Sequence, residues 1–140
     1  MGPAIRDGEF AILIVEDEML LVLSLELTIG EAGYRVVGSG TNRQEAIEIA
    51  RRDRPDLALV DLRLSRGESG LDVARELKSL SVPSLLMTGN RPEKALPELA
   101  LGCLSKPFAD ASLLESIAAA RARLTEGRWP TDLPPELQIY

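Results

Sequence analysis

Short apolar runs alternate with longer amphipathic stretches along most of this chain. The runs are Phe10–Val15, Tyr34–Val37, Leu57–Val60, Val82–Met87 and Cys103–Ser105. Most are continuously apolar rather than alternating, the pattern of strands buried on both faces of a parallel sheet. Between them, apolar residues recur at helical spacing. From about Glu18 to Ala32 the period is carried by Leu20, Leu23 and Leu27, with Gly33 as a stop. Thr41 or Asn42 can cap the next helix, whose inner face is Ala46, Ile47, Ile49 and Ala50. Gly70 to Leu80 carries Leu71, Val73, Ala74 and Leu77, and Asp110 to Glu126 carries Leu113, Leu114, Ile117, Ala118, Arg121 and Leu124. Such alternation predicts an α/β domain over residues 10–126: a doubly wound, five-stranded parallel sheet with helices on both faces.

The flanks read differently. Residues 1–9 are polar and bear Gly and Pro, as in a flexible lead-in. Residues 127–140 are Pro-rich and have no helical period, so this tail is expected to be disordered or to dock through Trp129 and Tyr140.

Composition narrows the function classes. A chain of 140 residues is one domain by length. Its net charge of −6, with basic residues scattered, argues against a nucleic-acid partner. Arg51-Arg52-Asp53-Arg54 reads more simply as a helix C-terminus. A single cysteine cannot form an internal disulfide and fits a reducing cytoplasm. No apolar stretch approaches the roughly 20 residues of a membrane span, and nothing at the N-terminus reads as a signal peptide. The chain has no histidine, which excludes His-based triads and His metal sites.

Reactive side chains sit at the ends of the apolar runs. Val15 is followed by Glu16-Asp17-Glu18, Val60 by Asp61, Met87 by Thr88, and Ser105 by Lys106-Pro107-Phe108. In a parallel sheet these tips share one edge, outside the carboxyl ends of the strands where open α/β sheets bind ligands. Taken singly, the acids at 16–18 suit a helix N-terminus, Asp61 suits a turn, and Thr88 suits a structural role. Together they read otherwise. Two carboxylates about 4 Å apart repel by roughly 4 kcal/mol at an effective dielectric of about 20. Clustered acids therefore point to a cation, and all-oxygen ligation suits Mg²⁺. Lys106, kept from helical geometry by Pro107, can reach across the strand ends to an acid or a phosphoryl oxygen.

These fragments, Ile12-Leu-Ile-Val-Glu-Asp-Glu18, Leu59-Val-Asp-Leu62, Met87-Thr-Gly89 and Leu104-Ser-Lys-Pro-Phe108, resemble a two-component response-regulator receiver domain over about residues 10–125. The resemblance implies the flavodoxin-like receiver fold and a phosphoryl group accepted on Asp61 from the phosphohistidine of a partner histidine kinase. It implies Mg²⁺ held by Asp17, Glu16, Asp61 and the backbone carbonyl of Arg63. Lys106 would bind a phosphoryl oxygen, and Thr88 would move inward to bind another. Arg63 and Asn90 would tune dephosphorylation.

The chain also departs from the family pattern. Cys103 replaces the aromatic rotamer switch and reads as core. The stretch from Thr88 to Lys106 is short and carries Pro92 and Pro97, so the fourth helix is expected to be short, irregular or missing. Gly67 and Gly70 stand in for the usual proline after Asp61 as turn residues. The shortened segment, with Thr88-Gly89-Asn90 and Leu96-Pro97-Glu98, resembles a subgroup of stand-alone receivers paired with atypical histidine kinases, common in alphaproteobacteria.

The resemblance thus implies a cytoplasmic single-domain regulator, monomeric or dimerising on phosphorylation. It would act on a protein target or pass the group to a phosphotransfer protein. Too few residues follow 126 for an effector domain, so DNA binding is not expected within this chain. The competing reading is a pseudo-receiver, an interaction module that works without phosphorylation. A hydrolase or flavin protein on a similar fold lacks its signals, a nucleophile elbow or a phosphate-cradling Gly-rich loop.

Overall fold

The computed structural model describes residues 9–64 and 67–140. All but Glu9 of the expected lead-in lies outside them. In chain order the elements are β1 (Ala11–Val15), α1 (Met19–Glu31), β2 (Arg35–Gly40), α2 (Arg43–Asp53) and β3 (Leu57–Asp61). There follow α3 (Gly70–Ser79), β4 (Ser84–Thr88), β5 (Gly102–Ser105), α4 (Asp110–Glu126) and β6 (Leu137–Ile139). The strand order is β2-β1-β3-β4-β5-β6. The first five strands are parallel, and β6 joins β5 antiparallel. The doubly wound sheet is as the sequence predicts, with a sixth strand added at one edge.

Every residue of β1, β3 and β4 is buried. Side chains alternate between two cores. Ile12, Ile14, Leu57, Leu59, Leu85, Met87 and Leu104 pack with Leu25 and Ile29 of α1 and Leu113 and Ile117 of α4. Leu13, Val15, Ala58, Val60, Leu86 and Cys103 pack with Ala46, Ile47 and Ala50 of α2 and Val73, Ala74 and Leu77 of α3. Cys103 is core, as expected.

Local signals explain most boundaries. Asn42 caps α2 by accepting from the Glu45 N–H at 2.9 Å, while Glu45 accepts from the Thr41 N–H and hydroxyl. Arg51 and Arg52 lie in the last turn of α2, where the helix dipole favours cations. Gly70 is not a turn residue. It opens α3, and a Cβ there would fall 2.0 Å from the Asp61 carbonyl oxygen. Gly67, with φ of 75°, does supply a turn.

Three expectations are corrected. On α1 the buried residues are Val22, Leu25 and Ile29, whereas Leu20, Leu23 and Leu27 are exposed. A helix rich in leucine on several faces does not declare its inner face by spacing alone. On α4 the buried face is Leu113, Ser116, Ile117, Ala119 and Ala120, while Ala118 and Leu124 face outward. Lastly, of the two expectations for the C-terminal segment, disorder falls and docking through Trp129 and Tyr140 holds. Trp129 and Leu133 pack against the core shared by α1 and α4, and the Tyr140 N–H donates to the Leu101 carbonyl at 2.9 Å.

Between β4 and β5 the chain forms bends and turns without a helix, as the two prolines lead one to expect. Two glycine substitutions test the packing with opposite signs. Gly70→Ala should cost about 1–3 kcal/mol, because backbone must move to admit the methyl group. Gly30→Ala on α1, where a Cβ meets nothing within 4 Å, should gain up to about 1 kcal/mol. Urea titrations of both variants check these values.

Candidate functional site

Strand register builds the site. Ile14 pairs Leu59 and Val15 pairs Val60, so the next residues on the two strands, Glu16 and Asp61, lie side by side past the last shared pair. Oxygen atoms of Glu16, Asp17 and Asp61 converge within 4.8 Å of one another. Lys106 follows β5 and reaches over the end of β4. Its Nζ donates to Glu16 Oε1 at 2.9 Å and to Asp61 Oδ2 at 3.0 Å. The Lys106–Pro107 peptide is cis.

Glu16 and Asp61 also serve the backbone. Glu16 Oε2 accepts from the N–H groups of Asp17 and Glu18 ahead of α1, at 3.0 and 3.3 Å. The acids therefore also dress a helix start, although Glu18, the N-cap residue, makes no side-chain cap bond. Asp61 Oδ1 accepts from the Arg63 N–H at 3.0 Å. Thr88 is buried at the end of β4, where its hydroxyl donates to the Asn90 carbonyl at 2.9 Å and accepts from the Asn90 N–H at 3.0 Å. Asn90 itself is exposed.

The electrostatics follow from crowding. Burial, reinforced by a hydrogen bond shared with Asp61, pushes the Glu16 carboxyl up to about 7, against the pull of Lys106. Burial also works against the Lys106 ammonium. Its bonds to Glu16 and Asp61 outweigh that penalty and hold its pKa above that of an ordinary lysine. The Cys103 thiol is raised by burial, which leaves it protonated and inert.

The sequence reading brought together Glu16, Asp17, Asp61 and Lys106, and the structure groups all four. It missed Arg91. This guanidinium, just past the Thr88 loop, bonds Ser105 Oγ and donates to the carbonyls of Glu136 at 2.9 Å and Pro135 at 3.3 Å. A lone arginine in a polar loop carries no periodic signal, so only the fold reveals its partners.

Residues 12–118 match the family described as the response regulator receiver domain. The chain belongs to this family. Among curated relatives, the phyllosphere-induced regulator PhyR of Methylorubrum extorquens is 37% identical over 119 residues, covering 78% of this chain and 42% of PhyR. The transcriptional regulatory protein PdtaR of Mycobacterium tuberculosis is 34% identical over 120 residues, covering 82% of this chain and 58% of PdtaR. The receiver thus spans about half the length of these relatives. Among solved structures, the receiver domain of a modulated diguanylate cyclase from Desulfovibrio desulfuricans matches with a TM-score of 0.73 at 30% identity. That match covers 84% of this chain and 98% of the other. A CheY-like receiver from Methanospirillum hungatei, with a TM-score of 0.76 at 22% identity, covers 84% and 98% and shares the fold. Among the described residues, no helix is long and apolar enough to cross a membrane.

In the metal-free receiver, the Glu16 carboxyl holds a proton that the unfolded chain, with its ordinary value of 4.5, has already lost. Stability is therefore greatest below about pH 4.5 and falls as pH rises through about 7, as far as this group decides it. In EDTA, Tm should drop between about pH 5 and pH 8, and Glu16→Gln should flatten that slope. A Tm that rises over the same range in wild type would contradict the crowded-acid geometry. Asp61→Asn should raise Tm in EDTA near neutral pH by removing a charge beside Glu16.

Proposed function

We propose that this receiver takes a phosphoryl group onto the Asp61 carboxylate from a partner histidine kinase, and signals by phosphorylation-dependent binding or onward transfer. The observation that carries this reading is the shared ammonium. Lys106 bonds Glu16 and Asp61 together, leaving an acid edge with a cation already aimed at it. A carboxylate oxygen of Asp61 attacks phosphorus, the bond from phosphorus to the donor nitrogen breaks, and that nitrogen departs with the electron pair. These 140 residues hold no histidine, so the phosphohistidine donor lies outside them.

The donor set fits Mg²⁺. Three carboxylates converge at the strand ends, and the ligands they offer are all oxygen. Glu16, Asp17 and Asp61, with the Arg63 backbone carbonyl, would hold the ion, which would neutralise charge on the transferring group. The chain's own residues do the rest. Lys106 passes from the carboxylates to a phosphoryl oxygen, and the Thr88 hydroxyl turns from Asn90 to another. Arg63 and Asn90 flank the acyl phosphate and would set how readily water reaches it.

The face that would meet a donor is α1. Met19, Leu20, Leu23 and Leu27 are each more than half exposed along this helix, which starts two residues after Asp17. An apolar stripe of this kind beside a polar site marks a protein contact.

Intact-mass measurement after acetyl phosphate treatment tests the chemistry. Wild type should gain one phosphoryl group only with Mg²⁺, and Asp61→Asn should gain none. No gain in wild type would favour the phosphorylation-independent module, which the Cys103 substitution and missing helix otherwise recommend. Leu20→Asp with Leu23→Asp should leave uptake from acetyl phosphate intact and slow transfer from the kinase by about tenfold or more.

A further inference from the structure

The C-terminal segment is seated on β5 by an unusual set of contacts. The strand β6 is only three residues long. Ahead of it, the Glu136 carbonyl accepts from the Ser105 N–H at 3.0 Å and from Arg91 at 2.9 Å. Beyond it, Tyr140 packs into the core on the α2 and α3 side, together with Leu96 and the fully buried Cys103. A right-handed crossover from β4 to β5 would place its helix on this side of the sheet, and here there is none. The tyrosine ring fills part of that space.

This seat is polar-deficient. Among the described residues, three buried side-chain oxygens have no nitrogen or oxygen partner: Ser84 Oγ, Glu136 Oε1 and the Tyr140 hydroxyl, which has only the weakly bonding Cys103 thiol beside it. Two of the three belong to the segment, and lifting it would return both to water. Burial beside Cys103 also pushes the Tyr140 hydroxyl up to about 12, so it stays neutral in place. Several bonds oppose release, among them the Ser112 hydroxyl donating to Glu136 Oε2 at 2.8 Å, and the one linked to the site is Arg91, one residue past Asn90, the group to which Thr88 is bonded.

We propose that residues 134–140 form a strap that phosphorylation of Asp61 releases, uncovering Cys103 and the edge of β5. This regulation rests on the reading of Asp61 as the phosphoacceptor. For the Thr88 hydroxyl to bond a phosphoryl oxygen it must leave the Asn90 carbonyl, and the Asn90 N–H loses its acceptor with it. The turn from Thr88 to Asn90 opens, Arg91 moves with it, and the carbonyls of Pro135 and Glu136 lose their shared donor. The remaining contacts, a three-residue strand and the bond from Ser112 to Glu136, then give way.

Cys103 is the only cysteine in the chain, so its labelling by N-ethylmaleimide reports the strap directly. Intact mass resolves phosphoryl and maleimide adducts on the same molecules. With Mg²⁺ and acetyl phosphate, phosphorylated molecules should label about tenfold faster or more than untreated protein. Arg91→Ala should speed labelling without phosphorylation and still take up the phosphoryl group. Tyr140→Phe, which removes the buried hydroxyl and keeps the ring, should slow labelling, an effect that loss of folding cannot mimic. Phosphoryl uptake with unchanged labelling overturns the strap and leaves the Asp61 reading standing. Absence of uptake in wild type overturns both.

Discussion

The Lys106 ammonium is the contact around which this receiver is organised. It joins the ends of β1, β3 and β5 through Glu16 and Asp61, residues far apart in sequence. Without it, neighbouring strands would bring two carboxylates together in a poorly hydrated setting. Glu16 still rises to about 7 with the lysine present, because burial and the neighbouring Asp61 outweigh the ammonium. Such an arrangement is poor evidence for stability, because buried charges lose solvation that pairing only partly returns. It makes better sense as an arrangement kept for chemistry than as one kept for stability.

The sheet was legible because it is buried on both sides. Strands of that kind leave unbroken apolar runs, and β1, β3 and β4 stand out against any background. The phase of α1 was not legible, since leucine occupies both its core face and its outer face. The strand β6 was hidden for a different reason. Leu137–Ile139 follows a pair of prolines and owes its extended form to pairing with Gly102–Leu104, a partner no local pattern names. At the site, the acids and the lysine announced themselves by position at strand ends. That Lys106 bonds Glu16 as well as Asp61 needed the register of β1 against β3. Arg91 needed the whole fold, because its partners lie on the last strand's approach.

Losing a helix between β4 and β5 has been met by two makeshift covers. The turns over residues 89–101 contribute Leu96 and Ala100, and the carboxyl end contributes Tyr140. Gly102 permits the second, for a Cβ there would fall 2.5 Å from the Gln138 carbonyl oxygen. Sequence change at an apparently plain edge glycine is thus tied to the last residues of the chain. An uncovered edge would also offer unpaired backbone groups to other proteins, a hazard that β6 removes.

The antiparallel sense of β6 fixes where the polypeptide enters and leaves. Ile139 pairs with Gly102, at the start of β5, and β1 also begins on that side of the sheet. Both chain ends of the described fold therefore emerge at the rim opposite Glu16, Asp17 and Asp61. A fusion partner attached at either end would leave the acids sterically free. Only the carboxyl-terminal attachment would hang from β6, so tension or bulk applied there would reach the sheet edge first.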